Sequence, residues 1–169
     1  QLYWIKPIFL NDADLMVRIC TRVKLEFEKS HDLPTFRANC DIERLYPEIW
    51  KRPMLHTMSS ILLPSYGRSI ATQYRVVTDQ RLAATALALR AYAVDHDGHW
   101  PGSLEALTPK YLPAVPLDPM AAGAAPLRFR LEGADPILYS GGEDARDDGG
   151  SEAPLHKPIP GEPVQRWSA

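Results

Sequence analysis

Leu15, Ile19, Val23 and Phe27 recur every fourth residue among charged neighbours, and this spacing predicts an amphipathic helix over residues 12 to 29, with Asn11 and Asp14 at its start. HDLPT at 31 to 35 reads as a connection, because Pro34 disfavours helical geometry at Leu33. A short helix is expected over residues 40 to 46, and another beginning near Pro47 or Pro53, since proline suits a first helical turn. From Ile70 onward, Ile70, Tyr74, Val77, Ala84, Ala91 and Val94 mark one helical face, while Leu82, Ala86, Leu89 and Ala93 mark its neighbour. Beyond Leu82 the pattern is apolar nearly all round, which calls for burial on several sides or coverage by a partner. Ala83, Ala84, Ala86, Ala88 and Ala91 would let another element approach closely. Pro64 and Gly67, just upstream, predict a break or kink.

After Gly98 the punctuation changes. Residues 1 to 97 hold five of the sixteen prolines and one of the ten glycines, so regular helix belongs to the first half and turns to the second. Gly98 is placed to end the long helix in left-handed conformation, and Ser103 to cap a single turn through Leu107. Pro109, Pro113, Pro116 and Pro119 impose an extended path. LRFRL at 127 to 131 and PILYS at 136 to 140, with EGAD between them, read as a hairpin. Two strands alone are marginal in water, so the hairpin must pack on the long helix. The expected class is therefore α+β, with a helical region at 1–66, the long helix and a small module at 67–150, and an extended Pro-rich tail at 151–169.

Composition narrows this picture little. The formal charge of -2 gives no reason to expect nucleic acid or an anionic membrane as a partner. No apolar run is long enough to span a bilayer, and the N-terminus has no secretory signal, so the chain reads as processed or trimmed, with an anchor that can lie upstream. Cys20 and Cys40 are the two cysteines; they are compatible with a disulfide in an oxidising compartment or with two small buried thiols.

Two clusters carry candidate chemistry. Asp95, His96, Asp97 and His99 include a His-x-x-His pair, which falls short of the ligand count of a zinc site unless other residues join it. The second is LYSGGEDARDDGG at 138 to 150, where Glu143, Asp144, Asp147 and Asp148 crowd between two glycine pairs. Ca²⁺ takes about six to eight oxygens in a flexible shell, and Gly141, Gly142, Gly149 and Gly150 allow the positive φ angles of a wrapping loop. The segment lacks the EF-hand positions, and Arg146 within it offers a charge balance without metal. Ser140 lacks the glycine context of a nucleophile elbow, and no Gly-rich phosphate loop is present.

In order along the chain, Tyr92, Asp97, Gly98, Trp100, Pro101, Leu104, Leu107, Tyr111, Leu112, Pro113, Pro116, Asp118, Pro119, Phe129, Tyr139, Ser140, Gly142 and Asp144 form a pattern over about residues 82 to 150. It resembles the soluble region of the major pseudopilin of the bacterial type II secretion system, as a module also found at the end of large bacterial envelope proteins. The resemblance implies a calcium-binding loop, with Asp144, Asp147 and Asp148 as side-chain ligands, Ser140 as a main-chain ligand and the Ca²⁺ structural. A true pseudopilin begins with an apolar membrane helix, which this chain replaces with amphipathic segments. The function expected is a non-enzymatic structural or docking subunit of a bacterial envelope assembly. It would work on the periplasmic or extracellular side, with other proteins as partners. The alternatives are a truncated secretion or fibre pseudopilin, and a zinc-dependent enzyme using Asp95, His96 and His99.

Overall fold

In the computed structural model, which describes residues 6–142 and 149–150, one long helix is shared by a helical half and a loop-rich half. Helix α1 spans Lys6–Lys29 and starts earlier than its apolar spacing suggests, because Pro7 occupies a first turn where no N–H is needed. The predicted face is the packed one: Ile19 and Val23 are buried, and Leu15 and Phe27 lean on the same core.

HDLPT is not a connection. Helix α2, Leu33–Asn39, begins there, with Pro34 in its first turn and the Asp32 carboxylate accepting from Thr35 N at 2.8 Å. Proline at the front of a helix costs nothing, and an aspartate cap supplies the start signal. Helices α3, Ile42–Leu45, and α4, Pro47–Lys51, follow at the places expected for them.

Helix α5 runs unbroken from Thr57 to Asp95, so the break expected at Pro64 and Gly67 is absent. Both residues are exposed, and buried Ser59 and Leu63 before them and Ala71 and Tyr74 after them hold the helix to the core. The helix lacks side-chain capping of its own; a carboxylate from α1 supplies it. Asp12, 1 % exposed, accepts from Met58 N at 2.7 Å, Ser59 N at 3.4 Å and the Ser59 hydroxyl at 2.5 Å. Farther on, the Tyr74 hydroxyl donates to Ser30 O at 3.0 Å, so α1 and α5 run side by side in the same direction. At the other end Asp97 and Gly98 take positive φ, and Gly98 N donates to Ala93 O at 2.8 Å, the stop predicted for Gly98.

The core lies in two parts along α5. Ile19, Val23, Leu33, Phe36, Ile49, Leu63 and Tyr74 fill the first, where Tyr74 meets Phe27 edge to face at 5.2 Å. Ala88 and Leu89 meet Leu104, Leu107 and Leu127 in the second, with Trp100, Phe129 and Leu138 packed around them. Met120 belongs to the first part, and Leu33 N donates to Pro119 O at 2.8 Å, so the Pro-rich segment ties the two halves together. Strands β1, Arg128–Glu132, and β2, Asp135–Tyr139, pair antiparallel with Phe129 opposite Leu138, and the turn is only Gly133 and Ala134. The hairpin packs on α5, as a marginal two-stranded ribbon must, and the class is α+β.

The two cysteines are free; burial pushes the Cys40 thiol up, as suits a packed rather than a reactive sulfur. No described helix is long and apolar enough to cross a membrane.

Candidate functional site

The site is organised by Asp118, which sits between Pro116 and Pro119. Asp118 N donates to Ala125 O at 2.6 Å and Leu127 N to Pro116 O at 2.9 Å, so the Pro-rich strand is laced to the segment entering β1. This lacing turns the Asp118 carboxylate inward, where it is 1 % exposed. Met120 N donates to one carboxylate oxygen at 2.9 Å, an Asx-turn two residues long. The Ser140 hydroxyl lies 2.9 and 2.8 Å from the two oxygens and shares its single proton between them, and Gly141 N donates at 2.9 Å. A buried carboxylate needs such donors to offset lost hydration, and here they come from both sides of the module. The Ser140 oxygen in turn accepts from Gly142 N at 3.2 Å.

These bonds fix the entry of the acidic loop. Its exit is fixed too: Arg130 Nε donates to Gly149 O at 3.2 Å, and Gly150 lies flat against β2. A Cβ on Gly150 would stand 3.0 Å from the Tyr139 ring and 3.1 Å from Ile137 Cγ2, at a φ of +75°, so only glycine fits there. Gly142 and Gly149 also take positive φ, as expected; Gly141 does not. Gly141 serves as a donor to Asp118 beside the Arg128 guanidinium, which lies 3.8 Å from where a Cβ would stand. Glu143, Asp144, Arg146, Asp147 and Asp148 lie outside the described residues. Of the expected ligand set, the structure therefore describes Ser140 alone, with its hydroxyl committed to Asp118.

The other cluster is spread along the end of α5. Asp95 Oδ2 accepts from Lys110 Nζ at 2.7 Å and from the Tyr111 hydroxyl at 2.8 Å, and these two bonds hold its carboxyl below the usual range. His96 stacks on Tyr92 with ring centroids 3.8 Å apart, and its Nδ1 lies 2.7 Å from Tyr92 O. His99 Nδ1 lies 2.9 Å from His96 O. Each imidazole thus has one ring nitrogen engaged with backbone, and among the described residues no three potential metal-ligating side chains converge.

Asp118 was legible only as part of a motif. An aspartate immediately before proline is a turn signal, and this was the one local hint of its Asx-turn. Its bonds to Ser140 and Gly141 join positions 22 and 23 residues apart, beyond the reach of any local pattern. Compared with protein-family models, with curated proteins and with solved structures, the chain matches none of them.

Proposed function

We propose that this chain is a non-enzymatic structural or docking subunit of a bacterial extracytoplasmic or membrane-associated assembly. Its second half is read as a pseudopilin-like module closed by a calcium loop. The observation that carries this reading is the Asp118 cradle. Two segments that figure in the resemblance, around Asp118–Pro119 and around Tyr139–Ser140–Gly142, meet through a buried carboxylate. The loop that follows begins and ends on anchored backbone. Such a loop loses little conformational freedom on closing round an ion, which favours a structural Ca²⁺ held by Asp144, Asp147 and Asp148 with the Ser140 carbonyl. In this role the Ser140 hydroxyl anchors the loop to Asp118 while its carbonyl is left to the ion.

Calorimetry of the intact chain tests the ion. Ca²⁺ at a hundred times its dissociation constant adds about 2.7 kcal/mol of stability, EDTA removes it, and the Asp147→Ala, Asp148→Ala double variant shows no response. No calcium-dependent change in melting temperature in the unsubstituted chain rejects the ion. The docking role is tested separately, by cross-linking in bacterial envelope fractions: capture of no other envelope protein rejects it.

A further inference from the structure

Beyond Leu82, α5 is apolar nearly all round, yet among the described residues only one side of it is covered. Thr85, Ala88, Leu89 and Ala93 are buried against the module. On the opposite side Val76, Leu87 and Val94 are 43 %, 73 % and 76 % exposed, with Ala83 exposed in line with them. Seven residues return a helix to within about 20° of the same direction, so Val76 and Ala83 share one line, and Leu87 and Val94 share it four residues on. Val76, Ala83, Leu87 and Val94 thus form one exposed apolar line along the helix. Asp79 and Arg90 are both exposed and both flank this line on the same side.

We infer that this line is the contact between two copies of the chain, with their α5 helices packed antiparallel about a two-fold axis level with Thr85. In that register Val76 faces Val94 of the second copy, and Ala83 faces its Leu87, so a small residue meets a large one at each inner position. An antiparallel pair brings like flanks together, so Asp79 lies beside Arg90 of the second copy and Arg90 beside its Asp79. A parallel pair sets Asp79 against the opposite flank, where Gln73, Gln80, Ala84 and Ala91 offer no charge. Charge complementarity therefore selects both the occupant and its direction. Two helices over this length bury less than a standard interface, so the dimer is a weak one. The inference gives the docking reading one definite surface, and rests on α5 alone, independent of the acidic loop.

Sedimentation equilibrium over a concentration series reaching about 100 μM tests it. The intact chain forms a dimer; Leu87→Asp weakens association about tenfold or more while leaving the circular dichroism unchanged. Asp79→Arg alone weakens it, and the Asp79→Arg, Arg90→Asp double variant restores it. A monomer throughout the series overturns the proposal and leaves the face to a different partner. A dimer indifferent to Leu87→Asp, or a charge reversal that is not rescued, overturns it as well. The calcium response of the chain is untouched by any of these results, so failure here is distinct from failure of the loop.

Discussion

In each half of this protein a buried aspartate joins segments far apart in the chain, but Asp12 and Asp118 act on different kinds of structure. Asp12 reaches from α1 to the start of α5 and satisfies backbone donors that a helix leaves open at its N-terminus. Asp118 has no helix to cap; it draws a Pro-rich turn and the foot of the acidic loop onto one carboxylate. The first replaces a cap that α5 does not supply for itself, since His56 makes no side-chain bond there. The second supports a segment with little regular structure, because the prolines between Thr108 and Pro126 leave it a single bridge, Leu117 with Pro126, and one short turn at Ala122–Ala124. Three donors converge on each carboxylate, and both carboxylates are 1 % exposed; those on Asp12 sit at a helix end where Met58 is half exposed and its N–H can turn to water, whereas those on Asp118 have no helix behind them.

That contrast predicts unequal costs. Asp118→Ala strands Met120 N, Gly141 N and the Ser140 hydroxyl and should cost on the order of 3 kcal/mol, whereas Asp12→Ala, losing a cap, should cost about 2 kcal/mol. Chemical denaturation measures both. Hydrogen exchange locates them: Met120 and Gly141 amides lose protection in the first variant, Met58 and Ser59 amides in the second. Equal losses at both places in both variants would mean that the halves are not separately stitched.

Tyr74 sharpens the comparison within the helical half. Burial, with Asp32 and Glu26 nearby, pushes its hydroxyl up to about 12, so the neutral form is favoured in the fold. A raised value means the stabilisation is complete below the unfolded tyrosine's value near 10 and is lost as pH climbs from about 10 to 12. Tyr74→Phe should cost about 1 kcal/mol at neutral pH by losing the bond to Ser30 O, while removing part of the alkaline destabilisation. A pH series of melting temperatures for both chains reads the two effects together.

The smallest effect belongs to Asp95 at the far end of α5. Its carboxyl is held low by Lys110 and Tyr111, so its contribution is present above the usual carboxylate range and fades as the solution is acidified through the folded value. The group is exposed and screened, so Asp95→Asn should change the melting temperature only slightly, and only above that acid range. An effect as large as that of Asp118→Ala would mean that this surface pair is structural.

Much of the fold was legible because its signals are local. The four-residue spacing in α1 marks a face that is buried wherever the helix docks, and Gly98 ends α5 because no L side chain takes its φ of +84° cheaply. The hairpin follows from β-rich runs about a tight turn. Local rules also mislead: Pro34 and Pro64 read as breakers, yet one opens a helix and the other sits, exposed, within an unbroken one. Whether a proline interrupts depends on how firmly the turns before and after it are held, and that is a tertiary fact.

For the candidate site the division is sharper. By itself the sequence determined that acidic residues lie between two glycine pairs after a strand, and that α5 beyond Leu82 is apolar nearly all round. Only the tertiary structure decided that Asp118 holds the foot of that loop. It also decided that, among the described residues, the last turns of α5 are covered on one side and exposed on the other. The physical reason is the same in both cases. The partner of a buried charge, or of an apolar face, is chosen by distance in space, and a carboxylate bonding 22 or 46 residues away leaves no periodic trace in the chain.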